Sequence, residues 1–117
     1  MKVYKGDIYY ADLDPVKGSE QGGIRPIIVL QNDVGNIMSS TILVAPLTKK
    51  FHNKPNLPTH ITINNKKLKY ESIVLLEQVK VIDKERLKHD FVCRVSKKVI
   101  KKIDKALLKS FGIGVKR

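Results

Sequence analysis

The sequence has no tryptophan, one cysteine and few other rings, three Phe and four Tyr. The single thiol, Cys93, excludes an internal disulfide and any Cys-X-X-Cys zinc or redox pair. So few rings argue against an open sheet that reads RNA by stacking bases along its face. His52, His60 and His89 have no zinc-site spacing, so no metal and no other cofactor is expected. The longest apolar runs, Ile27–Leu30 and Ile42–Leu47, fall far short of the roughly 20 residues that span a bilayer. The start, Met1–Asp7, has no apolar stretch of secretory type behind it, which makes a cytoplasmic protein without a membrane partner the expectation. Acidic residues are scarce as well. Eleven Asp and Glu face 23 Lys and Arg, a net charge of +12 that calls for an anionic partner and is silent about fold.

The 117 residues suit one domain, 1–117, with 42% hydrophobic and 29% charged side chains, a balance that supports a packed core. Charge is uneven along the chain: residues 1–45 carry −1, residues 46–83 carry +4 and residues 84–117 carry +9. Nineteen of the basic residues are Lys, and Arg25 is the single Arg before Arg86. Lysine attracts phosphate diffusely, whereas arginine offers an aimed fork of donors.

Short β-type stretches dominate. Lys2–Leu13 alternates, Pro26–Gln31 and Thr41–Leu47 are continuously apolar, and Thr59–Ile63 alternates again. Asp33–Ser40 is expected as a turn or single helical turn capped by Asn32, and Asn64–Tyr70 as a basic turn. Ile73–Ile82 is expected as one long strand, Asp83–Leu87 as a helical turn, and Phe91, Cys93 and Val95 as one face of a last strand. The period then changes. Behind the N-cap Ser96, residues Val99, Ile100, Ile103, Ala106 and Leu107 form one helical stripe that stops at Gly112. The expected fold class is mainly β with a C-terminal helix, a small curved sheet or barrel.

The loop Gly18–Pro26 concentrates chemistry, delivering Ser19, Glu20, Gln21 and Arg25 past Gly22 and Gly23 to the start of a buried strand. It lacks the Gly-Lys-Ser/Thr of a phosphate-binding loop and leads into a strand, unlike a dinucleotide fingerprint. By its chemistry alone it also suits a flexible hairpin loop with a surface Arg–Glu pair. Thr48 sharpens it. If Pro26–Gln31 and Thr41–Leu47 pair antiparallel, Arg25 and Thr48 meet at one sheet edge. A cation, a hydroxyl and a carboxylate would then gather where a phosphodiester could be attacked.

The string Lys5-Gly6-Asp7-Ile8-Tyr9-Tyr10-Ala11-Asp12-Leu13, then Gly18–Asp33, Ala45–Thr48 and Leu75–Val79, resembles the MazF/PemK family of toxin endoribonucleases across essentially the whole chain. The resemblance implies an SH3-like barrel, a homodimer, and metal-independent, sequence-selective cleavage of single-stranded RNA, mRNA included. It also implies a cognate antitoxin whose acidic, disordered tail covers the RNA groove. Arg25 and Thr48 match the family's catalytic pair, and Glu20 its acidic loop position. Ser19, Gln21 and Gly22 fall in its RNA-contacting loop, and Lys49, Lys50 and Gln78 are further substrate-binding candidates. Two other functions fit the residues: a basic barrel that binds nucleic acid without cutting it, and a toxin of the same fold that poisons a topoisomerase.

Three more features have ordinary and functional readings. His52 and His60 could be an acid–base pair or solvated loop residues. Cys93 is expected in the core. Lys98, Lys101, Lys102, Lys105 and Lys109 form one helical stripe, either a solvated face or a track for phosphates.

Overall fold

A computed structural model describes residues 2–50, 57–87 and 90–114. His52, His89 and most of the loop between Lys50 and Pro58 lie outside them. The chain forms β1 (Asp7–Asp12), β2 (Ile24–Val29), α1 (Asp33–Met38), β3 (Thr41–Lys49), β4 (His60–Ile63), β5 (Ser72–Leu75), β6 (Lys80–Asp83), β7 (Phe91–Arg94) and α2 (Lys97–Ser110). The sheet order is β4-β5-β3-β2-β1-β7, with β6 also on β3, and every pairing is antiparallel.

The continuous apolar runs have a simple cause: β1, β2 and β3 are covered on both faces. Ile8, Ile28, Ala45 and Leu47 point into one cluster with Leu76 and the Ile103/Ala106 face of α2. Tyr9, Ile27, Val29 and Val44 alternate into a second cluster with Val3, Ile82 and Leu87. Two-sided burial removes the polar face that would otherwise interrupt such a run.

Both helices start on the expected caps. Asn32 accepts a hydrogen bond from the Gly35 amide at 2.9 Å and Ser96 one from the Val99 amide at 3.3 Å. Gly112, at φ +69°, ends α2 with its amide on the Lys109 carbonyl.

Two expectations need correction. Ile73–Ile82 is not one strand. Leu47 of β3 faces Val74, but Val44, three residues earlier, faces Lys80, six residues later, so three residues are extra. They leave the ladder as a 3₁₀ turn, Leu76–Gln78. Leu76 is fully buried against α2, and the Ser110 hydroxyl caps its carbonyl at 3.0 Å. The second correction concerns β7. Ile8 faces Cys93 but Tyr9 faces Phe91, so a bulge at Val92 breaks the alternation. Cys93 and Val95 are buried as expected, while Phe91 turns out to stack edge-on against Tyr9 at 5.4 Å.

Candidate active site

The β2–β3 register pairs Ile27 with Pro46 and Val29 with Val44, which brings Arg25, near the start of β2, to the end of β3 that carries Thr48. The connection through α1 is short, so this juxtaposition follows from the hairpin itself. Arg25 donates from Nε to the Gly22 carbonyl at 2.8 Å and from Nη1 toward the Leu47 carbonyl at 3.5 Å. It thus spans from the 14–23 loop to β3. Among the described residues it takes part in no ion pair. Arg86 and Arg94 are used differently. Arg86 holds the carbonyls of Asp12 and Asp14, and Arg94 pairs with buried Asp7 at 2.6 Å, a bond that raises the Arg94 pKa.

The loop that carries Arg25's anchor is tightly built. Its ends are tied by Leu13 N–H to the Gly23 carbonyl and Gly23 N–H to the Asp14 carboxylate. Gly23 sits at φ +73°, and a Cβ on Gly22 would lie 2.5 Å from the Val16 side chain. Ser19 and Glu20 are exposed at its tip. The Glu20 carboxylate accepts from the Lys17 amide at 3.1 Å, within its own loop. Gln21 is fixed from across the site, its amide donating to the Gln78 side-chain oxygen at 2.9 Å. The 3₁₀ turn that interrupts the long strand is what brings Gln78 there.

Two recesses flank this centre. One, of about 260 Å³, is lined by Glu20, Gln21, Glu77, Gln78 and Lys80. Glu77 accepts from Thr59 at 3.2 Å and pairs with His60 at 2.9 Å. Burial alone would raise the Glu77 pKa, but hydrogen bonds from His60, its own backbone and Thr59, with the His60 charge, bring it below the usual value. The other recess, about 210 Å³, includes Thr48, Tyr10, Ile24, Lys49, Lys69 and Tyr70 in its walls. Lys49 lies 4.5 Å from the Tyr70 ring centre, whereas Lys50 is drawn 3.6 Å from Glu71.

Of the site residues expected from the sequence, Gln21 is joined to Gln78, and Arg25 reaches from Gly22 to the Leu47 carbonyl, one residue before Thr48. Glu20 and Lys49 border the two recesses, and Lys50 is turned to Glu71. Sequence reasoning missed Glu77, although it precedes Gln78 directly, and it missed Tyr70 inside a stretch that showed only turn character. His60 is engaged with Glu77, and His52 lies outside the described residues. No group of three His, Cys, Asp or Glu able to hold a metal occurs among the described residues. A guanidinium held beside the strand end that carries a hydroxyl can stabilise charge on a phosphoryl oxygen.

Comparison with known proteins agrees over nearly the whole length. The family described as PemK-like, MazF-like toxins of type II toxin–antitoxin systems matches residues 4–111. Endoribonuclease EndoA of Bacillus subtilis (strain 168) is 46% identical over 115 residues, 97% of each chain. MazF from Deinococcus radiodurans superposes with a TM-score of 0.81 at 20% identity, covering 96% of this chain and 98% of that one. An endoribonuclease from a mycobacterial species, solved in complex with its cognate antitoxin, gives 0.79 at 19% identity, with 97% and 99% covered.

Proposed function

Since the chain belongs to the PemK-like, MazF-like family of type II toxin–antitoxin toxins, we propose that it is a metal-independent endoribonuclease that cuts single-stranded RNA. The observation that supports the reading is Arg25 anchored on the Gly22 and Leu47 carbonyls, the latter one residue before Thr48. In the proposed reaction the RNA 2′-oxygen attacks the adjacent phosphorus and the bond to the 5′-oxygen breaks. The 2′-hydroxyl proton passes to a base and the leaving oxygen takes up a proton. The products are a 2′,3′-cyclic phosphate and a 5′-hydroxyl. Holding the 2′-oxygen in line is worth several kcal/mol on its own, on the order of the gains from intramolecular alignment.

Arg25 stabilises the extra charge on the phosphorane-like transition state and hydrogen-bonds the leaving 5′-oxygen, which takes its proton from water. Thr48 donates to a non-bridging oxygen. Glu20 serves as the base once its carboxylate leaves the Lys17 amide. Ser19, Gln21, Gly22, Gln78 and Lys49 contact the strand around the cut.

The partner is an antitoxin with an acidic, disordered segment, which the +12 charge attracts and which competes with RNA for the same groove. A homodimer is supported by apolar side chains left in solvent on α1, Val34, Ile37 and Met38, none of them on the lysine stripe. No helix among the described residues is long and apolar enough to cross a membrane, and we place the protein in the cytoplasm with its RNA.

The test is a mixed-sequence RNA incubated with the protein in EDTA, followed by a substrate with one 2′-deoxy nucleotide just 5′ of the mapped cut. Discrete fragments are expected from the first, and tight binding without cleavage from the second. Normal cleavage of the deoxy substrate would remove the mechanism, and intact but shifted RNA in the first experiment would leave a binding protein.

A further inference from the structure

The recess beside Thr48 has a composition unlike that of its neighbour. Tyr10, Ile24, Pro26 and Tyr70 give it aromatic and apolar walls, Lys49 and Lys69 add two cations, and no carboxylate among the described residues lines it. Tyr70 is 45% exposed and Ile24 69%, a large share for apolar surface next to a reactive centre. The ammonium groups of Lys49 and Lys69 lie 4.5 and 5.4 Å from the Tyr70 ring centre. The ring stands on fixed backbone. Leu68, two residues earlier, is buried in the core, the Ser72 hydroxyl caps the Tyr70 carbonyl at 2.9 Å, and Ser72 pairs with Lys49 in the β3–β5 ladder.

We infer that Tyr70 is a nucleobase-stacking residue. It receives the base of a nucleotide next to the scissile phosphate, while Lys49 and Lys69 swing from the ring to flanking phosphates. The inference rests on the endoribonuclease reading and names a specificity-determining contact within it.

Three physical points support it. A phenol ring presents a flat π-face that any base can cover, and an adjacent cation strengthens the contact. Lysine stems are flexible, so the cations that cover the ring in the free protein are displaced at little cost. Phosphates follow every base at fixed spacing, which is what two cations beside one ring suit. The recess around Glu20 and Glu77 offers no ring among the described residues, so the base-binding wall lies on the Thr48 side.

The experiment uses the full chain and a synthetic RNA spanning the mapped cut, with a 2′-deoxy sugar at the scissile nucleotide to block turnover. Affinity is measured for the wild type, Tyr70→Ala and Tyr70→Phe, each against the intact RNA and against versions made abasic at one position at a time. Loss of one stacked base corresponds to roughly 5- to 100-fold in affinity. Tyr70→Ala is expected to bind that much more weakly, with KM for the cleavable RNA rising in step and kcat moving less, and Tyr70→Phe to stay near the wild type. One abasic position weakens the wild type and ceases to matter in Tyr70→Ala, a pattern that a merely structural role would not give. Wild-type affinity in Tyr70→Ala, or equal weakening at every position without rescue by Phe, overturns the inference while wild-type cleavage stands. A wild type that neither binds nor cuts RNA overturns both.

Discussion

Arginine keeps its proton at any ordinary pH, so Arg25 must act by charge and donation. Removing such a transition-state donor costs about 10²-fold or more in rate. Arg25→Ala is therefore expected to lose at least that in kcat while its urea midpoint stays close to the wild type, because the half-buried side chain holds only two carbonyls and no ion pair among the described residues. Glu77 gives a prediction in pH. Its carboxylate is held below the ordinary value, so the stability it contributes is complete above the unfolded pKa and is lost as pH falls through the folded one. The gap in urea midpoint between wild type and Glu77→Gln should be present at neutral pH and close as the solution is acidified below the ordinary carboxylate range. A gap that does not change with pH would show that the contacts from His60 and Thr59 do not depend on the charge. That Arg25 and Thr48 lie on neighbouring strands was legible in the sequence, because a short connection joins the two apolar runs that become β2 and β3. Tyr70 was not, since nothing within Asn64–Tyr70 shows that Leu68 sinks into the core and lifts the ring beside Thr48.

At the scale of elements, the decisive feature is the interruption between β5 and β6. Ile73, Val74, Leu75 and Leu76 form an unbroken apolar run, and hydrophobicity cannot tell a buried strand from a buried turn. What ends the strand is α2, which takes the Leu76 side chain and caps its carbonyl through Ser110. The signal therefore lies more than thirty residues away. The bulge in β7 escaped for a related reason, since it depends on the partner strand. Caps and the amphipathic helix were legible because their causes are local. The interruption has a functional price that can be measured. Gln78→Ala removes the acceptor of the Gln21 amide, a bond worth about 1 kcal/mol. Several-fold slower cleavage with near-normal stability is the expected result, and unchanged cleavage would mean that Gln21 needs no such support.

The molecule as a whole carries two unlike surfaces. Six exposed lysines run along α2, while Ile37 and Met38 on α1 are 78% and 81% exposed. Like charges at a two-fold axis repel, so self-association belongs to the apolar surface. Light scattering at micromolar concentration and moderate salt should give the mass of a dimer, and Ile37→Lys should shift it towards the monomer. A wild-type monomer would remove the homodimer reading, and a variant that stays dimeric would move the contact elsewhere.

The pairing of Asp7 with Arg94 has a consequence in time. These residues lie 87 positions apart, and they join the first strand to the last. Arg25 and Thr48 can meet soon after β3 leaves the ribosome, yet the sheet cannot close on β7 until Arg94 has followed. At synthesis rates of about 5–20 residues per second, the interval from Lys49 to Arg94 is about 2–9 s. Gln78, the support of the Gln21 loop, emerges within that same interval. A nascent chain thus holds both proposed catalytic side chains for seconds before it holds the frame that aligns them.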